Sequence, residues 1–518
     1  MIHFGFCYVG LIYLLMLFTP NIIWAKNKPA DYDKYAANES KVLLLFERAG
    51  EVLLSIGALI FSDCNIRTDS IWCLWLLLSF LFMVFYELYW IRYFKSSKTM
   101  ADQYSTFLIF PVAGASLPCL AFFALGIYGT NIFLIISSII MTIGHVGIHL
   151  AHKREVVPAK KSRVIFKIIK TVIAILVVSL LLATSIVIGV RNYNWFANYI
   201  DTSVGVNEAI YELIGDQEQY LLIRGRDVNN PVILYLHGGP AGPDSCISNT
   251  FTDPLIDDYT VVEWDQRGSG RTYFKNASKD PDNSTVDLRQ AILDTDEIVD
   301  YIRDRFHTDK VIIMGHSYGT LLGTRYVQGY PDKVSAYIGI GQFVSARRSD
   351  ELSYQDAVSV ATSRGEDLGT LQTAYAEYQN ATSLVEYLKL REATNPYHPA
   401  EIDADTVTLA LFSPYTGVDD VLWTMKAMDL DSYFALNKKL FNLVYDYDVM
   451  TEQNLEYEVP MYFISGDRDF VCNYELAEQF SKDITAPESR YVGMPGLGHT
   501  PHYTNPDEFA SVVKDMLG

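Results

Sequence analysis

Residues 311–319 read VIIMGHSYG. An apolar, β-branched run (Val311, Ile312, Ile313) delivers the chain to Ser317, which stands between Gly315-His316 and Tyr318-Gly319. A helical pattern follows through Thr320, Leu321, Leu322, Gly323, Thr324, Arg325 and Tyr326. The stretch predicts a strand, a tight turn and a helix, with glycines where the backbone crowds. A serine on such a turn projects its hydroxyl beyond the end of the sheet, so Ser317 is a candidate nucleophile.

Working outward, other apolar runs end in loops rich in glycine and charge. Pro231–Leu236 leads into His237-Gly238-Gly239-Pro240-Ala241-Gly242-Pro243, and Tyr259–Glu263 into Trp264-Asp265-Gln266-Arg267-Gly268-Ser269-Gly270-Arg271-Thr272. Met461–Ser465 leads into Gly466-Asp467-Arg468-Asp469, and Arg490–Val492 precedes Gly496-Leu497-Gly498-His499. A serine hydroxyl is a weak nucleophile until a base takes its proton. His499, on a Gly-rich loop after the last strand, is placed to reach back over the turn; His502 lacks the Gly-His context. Glycines directly after a strand let backbone N–H groups face a developing oxyanion, which points to Gly239 together with Tyr318, the residue after the nucleophile. His237, Gly238 and Pro240 belong to the same loop and are candidate substrate contacts, with His237 expected to brace the loop rather than to react.

HGGP, DQRGSGRT, GHSYG, GDRD and GLGH, in this order, resemble the prolyl iminopeptidase branch of the α/β hydrolases over about residues 205–518. Ala241 stands where that branch has the last glycine of HGGPG, and Tyr318 where it has tryptophan. The resemblance implies an α/β-hydrolase fold: a mostly parallel eight-stranded sheet with helices on both faces and a helical cap. It implies a catalytic triad in the order Ser317, Asp469, His499, with Asp469 preferred to Asp467 because the branch places its acid three residues after the glycine. It implies an acyl-enzyme and no cofactor or metal.

Charge divides the chain unevenly. Residues 1–190 carry 16 Lys+Arg against 10 Asp+Glu, and residues 191–518 carry 25 against 51. The acidic second part has no basic stripe and is unsuited to nucleic acid. The six cysteines show no C-x-x-C spacing, so a zinc or thioredoxin-like site is unsupported; free thiols are expected, with a Cys246–Cys472 bridge as the alternative. In the first part, residues 71–91, 105–127, 131–150 and 168–190 are apolar and long enough to span a bilayer, and 1–25 reads as a signal peptide or a first span. Residues 26–190 thus form a transmembrane helical region of four to five spans. Arg92, Lys95 and Lys98, and then Lys153, Arg154, Lys160, Lys161, Arg163 and Lys167, mark two cytoplasmic loops. The expected protein is a multi-pass bacterial plasma-membrane protein whose domain 205–518 lies on the extracytoplasmic side. His145, His149 and His152 share one helix face, read as polar packing because no matching ligand cluster is evident on another span.

Between about 343 and 457 strand patterning gives way to helical stretches (Asp367–Gln379, Thr382–Leu390, Asp419–Asn437), the expected cap. Glu366 and Asp367 are candidate anchors for a substrate amine. Three functions follow as alternatives: an aminopeptidase acting on peptide N-termini, an esterase or lipase-like hydrolase of small or membrane-derived esters, and a non-catalytic protein that keeps the fold. An acidic cluster facing the nucleophile favours the first, and an apolar tunnel the second.

Overall fold

A computed structural model describes residues 2–29, 31–36, 39–67, 73–156, 164–381, 384–399, 402 and 404–518. The chain forms two compact units, Met1–Ala197 and Asn198–Gly518.

The second unit is built on eight strands: β1 (Val206–Ile214), β2 (Gln217–Gly225), β3 (Val232–Leu236), β4 (Thr260–Asp265), β5 (Val311–His316), β6 (Val334–Ile340), β7 (Met461–Gly466) and β8 (Ser489–Met494). They form one sheet in the order β1-β2-β4-β3-β5-β6-β7-β8. β1 and β2 form an antiparallel hairpin, β2 runs antiparallel to β4, and the remaining pairs are parallel. Every residue of β3, β4, β5 and β7 is buried. That is why these segments read as unbroken apolar runs rather than alternating ones: helices cover both faces of the sheet. Leu234, Leu236 and Ile313 pack into the core on one face, and Ile233, Tyr235, Ile312 and Met314 into the core on the other. The helix Leu288–Phe306 shows how one face is covered. Asp287 caps it by accepting the Gln290 N–H, His307 ends it in the left-handed region (φ 50°), and Ile298, Val299 and Ile302 form its buried stripe.

The connection from β6 to β7 is helical, with helices at Ala346–Arg364, Gly369–Tyr378, Leu384–Thr394, Thr406–Phe412, Val418–Met428, Leu430–Leu436 and Lys438–Asp446. The helix expected over Thr382–Leu390 extends to Thr394, and residues 382 and 383 lie outside the described residues. The helix expected over Asp419–Asn437 is two helices. Asp429 (ψ 84°) leaves helical geometry and accepts the Ser432 N–H as the N-cap of the second.

Among the described residues, the first unit holds three helices long and apolar enough to cross a membrane, Tyr8–Ala25, Cys73–Phe94 and Ile132–Val156, with a shorter apolar helix at Ala113–Tyr128. The span expected over 105–127 begins only at Ala113. Phe107 and Phe110 pair across a tight turn, and Pro111 follows, which disfavours helix in the residue before it. Helices also form at Lys41–Ile60 and Val164–Ala197. Lys160, Lys161 and Arg163, on which the orientation of the last span was read, lie outside the described residues.

Candidate active site

Ser317 joins β5 to the helix Tyr318–Gly329 with φ 53° and ψ −120°, a strained conformation for a residue with a side chain. Its N–H donates to the Ile340 carbonyl at 3.0 Å, which ties the turn to the end of β6. The flanking glycines are dictated by space. A Cβ on Gly315 would lie 2.6 Å from the Gly319 oxygen, and one on Gly319 only 2.0 Å from the Leu236 oxygen. The turn is therefore pressed onto the end of β3, where the His237–Pro243 loop begins.

Asp469 follows β7 and is completely buried. Its Oδ1 accepts the N–H groups of Val471 (3.0 Å) and Cys472 (2.9 Å), which leaves Oδ2 for His499 Nδ1 at 2.8 Å. Gly341, with φ +54°, lies under this pair: a Cβ there would sit 3.1 Å from Asp469 Oδ2 and 3.2 Å from His499 Nδ1. Asp467 serves the loop instead, accepting the Gly496 N–H at 2.6 Å. His502 is buried in the core against Phe251, Tyr503 and Phe509. The one side-chain partner of Ser317 Oγ among the described residues is Cys472 Sγ, at 4.0 Å. His316 is a neighbour the sequence reading did not single out. Its Nε2 donates to the His499 carbonyl at 3.1 Å, and burial, followed by the nearby His499, lowers its pKa to about 3. The imidazole thus stays neutral and holds the His499 loop.

Gly239 has φ +119°, and no carbonyl among the described residues takes its N–H or that of Tyr318. Gly238 lies so close that a Cβ would meet Ser317 Cβ at 3.0 Å. His237, a candidate substrate contact, is turned inward. It is buried, its Nε2 accepts the Gln266 N–H at 3.2 Å, and burial lowers its pKa to about 4. It braces the loop. The Asp265 loop is braced by charge: Arg267 grips the buried Asp294 through Nε (2.6 Å) and Nη2 (3.0 Å). Arg271 reaches the cap, donating to the Tyr415 carbonyl at 2.6 Å and to Asp420. Burial raises the Asp265 pKa to about 6 in spite of Arg271.

A cavity of about 270 Å³ opens at Ser317. Gly239, Pro240, Tyr318, Phe343, Val471 and Cys472 line its floor, and the cap supplies Leu388, Arg391, Tyr433, Phe441, Val444 and Tyr445. Glu366 and Asp367 are not among the lining residues. The helix Ala346–Arg364 ends at Gly365 in the left-handed region (φ 69°), and both acids stand in the exposed turn beyond it. No carboxylate lines the cavity among the described residues; its one charged group is Arg391. A signal for Arg391 existed in the sequence. It continues the stripe of Leu384, Tyr387 and Leu388 at helical spacing, where a charge is out of place.

All six cysteines are free thiols. The one group of His, Cys, Asp and Glu atoms among the described residues close enough to share a metal ion is Asp244, His316 and His502, within 4.8 Å. Asp244 there already accepts the hydroxyls of Tyr235 and Tyr503, each at 2.8 Å. The first unit has a separate cavity of about 420 Å³ lined by both apolar and charged residues. Carboxylates pack against the histidine face: Glu47 meets His145 Nδ1 at 2.6 Å and Glu39 meets His152 Nε2 at 3.0 Å. His145 lies in a π turn at Thr142–Val146, and its ring is 4.5 Å from that of His149.

The family model described as alpha/beta hydrolase fold matches residues 231–506. The chain belongs to the α/β-hydrolase family. Among its relatives, a probable aminopeptidase of Bacillus subtilis, YbaC, is 29% identical over 301 residues, 58% of this chain and 93% of that protein. A proline iminopeptidase of Saccharolobus solfataricus is 25% identical over 328 residues, 61% of this chain and 93% of its own. The crystal structure of a proline iminopeptidase of Mycobacterium smegmatis superposes with TM-score 0.43 at 17% identity, over 60% of this chain and 97% of that one. None of these matches extends over the whole chain: at most about three fifths of it is covered.

Proposed function

We propose that the protein is a membrane-anchored serine hydrolase that works through a Ser317 acyl-enzyme. The observation that carries this reading is Ser317 on a strained turn at the edge where Asp469 and His499 hold each other at 2.8 Å. His499 Nδ1 faces Asp469, so Nε2 is the nitrogen left to accept the Ser317 proton as Oγ attacks the substrate carbonyl. Asp469 fixes the tautomer and stabilises the imidazolium. The Gly239 and Tyr318 N–H groups, unclaimed by other described residues, receive the oxyanion; each such donor is worth roughly a hundredfold or more in rate. His499 then protonates the leaving group, and water repeats the sequence in reverse to release the acid.

Aminopeptidase action on short peptides is the first substrate reading, supported by the names of the relatives. An esterase is the second, favoured by a specific observation: among the described residues the cavity is lined by apolar and aromatic side chains and Arg391, with no carboxylate to hold a free amine. The apolar helices of the first unit support an anchor in the bilayer, with the hydrolase on the extracytoplasmic side.

The test uses the full-length chain in detergent micelles, with Ser317→Ala as the blank. Hydrolysis of Pro-, Ala- and Leu-aminoacyl fluorophores is compared with that of short-chain nitrophenyl esters. Ser317-dependent turnover supports the hydrolase, and the faster substrate class decides between the two readings. Turnover equal to the blank on both, with no fluorophosphonate labelling of Ser317, refutes it.

A further inference from the structure

Among the described residues the cap contributes one charge to the nucleophile's cavity, and it is positive. Arg391, on the helix Leu384–Thr394, lines the same cavity as Ser317 and the oxyanion donors. Its Nε donates to Asp350 Oδ1 at 2.9 Å, its one side-chain hydrogen bond among the described residues. Asp350 is 1% exposed, whereas the Arg391 side chain keeps 24% of its surface open. The guanidinium is therefore held through Nε, and its two terminal nitrogens have no hydrogen-bond partner among the described residues. A planar guanidinium fixed in this way presents a fork that matches a carboxylate, and apolar walls strengthen such a pair by excluding water. The same charge repels an ammonium group entering the cavity.

We propose that Arg391 is the specificity-determining group of the site, and that the acyl chain entering the cavity ends in a carboxylate. This inference rests on the serine hydrolase reading and names its substrate class: half-esters or amides of small dicarboxylic acids, including acidic acyl residues, in place of acyl groups bearing a free amine. The attack at Ser317 is unchanged. The leaving group takes the proton from His499, and the remote carboxylate forms no covalent bond.

The experiment compares three nitrophenyl esters of matched chain length on the full-length protein: one ending in a carboxylate, one in a methyl group and one in a trimethylammonium. The expected order of kcat/KM is carboxylate, then methyl, then ammonium. The first step is roughly tenfold to a hundredfold, the usual worth of a charged hydrogen-bonded pair, and is carried mainly by KM. In Arg391→Gln, and in the double variant Arg391→Gln/Asp350→Asn, which leaves no buried charge unpaired, the carboxylate-to-methyl ratio collapses toward one. Fluorophosphonate labelling of Ser317 verifies each variant's fold. Equal rates on the carboxylate and methyl esters, or faster turnover of the ammonium ester, overturn the inference while leaving the hydrolase intact. A preference that survives in both variants also overturns it. No Ser317-dependent turnover of any ester removes the hydrolase reading, and this inference with it.

Discussion

Gly319→Ala is the smallest substitution that strikes the centre of the site. The added methyl would begin 2.0 Å from the Leu236 oxygen and 2.8 Å from the His237 oxygen. Both neighbours are backbone, so neither can swing aside as a flexible side chain would. Restoring even a 3.0 Å contact moves the start of the Tyr318–Gly329 helix about 1 Å from the end of β3. Those two segments carry the proposed oxyanion donors, Tyr318 on one and Gly239 on the other. A misplacement of about 1 Å costs roughly a hundredfold in rate, while overpacking of this kind costs about 1–3 kcal/mol of stability. The variant is thus expected to fold, melt a few degrees lower and lose about two orders of magnitude in kcat. Gly329→Ala is the matched control, because nothing lies within 4 Å of its added carbon. Initial rates on a nitrophenyl ester, normalised to the folded fraction from thermal unfolding, give the answer. A Gly319→Ala enzyme within threefold of wild type would refute the claim that this contact sets the oxyanion geometry.

Asp469→Asn is expected to lower kcat by roughly 10³–10⁴. Asp467→Asn, which removes a charge but keeps an oxygen to accept the Gly496 N–H, should cost less than about tenfold; comparable losses would undo the assignment of the acid. Burial, opposed by Arg224, raises the pKa of Glu263 from 4.5 to about 8. The folded protein therefore holds a proton that the unfolded chain has released, and this contribution to stability, complete below pH 4.5, is lost as pH rises to about 8. Urea midpoints at pH 5 and 8 should fall more for wild type than for Glu263→Gln, and parallel falls would contradict the assignment. Arg271→Ala, which leaves Asp420 unpaired at a site where both side chains are at most 10% exposed, is expected to cost about 3–5 kcal/mol in urea unfolding. Arg347→Ala, whose pair with Asp446 is 47% and 72% exposed, should cost less than about 1 kcal/mol. Equal costs would show that burial does not govern these pairs.

What could be read from the sequence divides along physical lines. The Ser317 turn was legible because its requirement is local: glycine is needed where a Cβ would meet backbone, and that need is written within five residues. β3, β5 and β7 were legible because strands buried on both faces leave unbroken apolar runs. The break at Asp429 was also local, an aspartate three residues before Ser432, yet the longer apolar periodicity of Asp419–Asn437 masked it. The cap lining was not legible, because Leu388, Tyr433 and Tyr445 converge on Ser317 only through tertiary packing. Glu366 misled for the same reason: an acid near the cap is not an acid in the cavity. The Glu47–His145 and Glu39–His152 pairs join residues 98 and 113 positions apart, a separation no periodicity spans.

The chain order of the site has a consequence for synthesis. Ser317 follows β5, the helical insertion follows β6, and Asp469 and His499 arrive on β7 and β8 after that insertion. A growing chain therefore completes its nucleophilic turn while the hydroxyl has neither base nor orienting acid beside it. If Asp469 and His499 serve Ser317 as proposed, the cap is made before the hydroxyl is armed, and the first competent form is one whose cavity is already roofed. On the serine hydrolase reading, a nascent or prematurely terminated chain lacking the last strand carries a serine without its base, and so without hydrolytic activity.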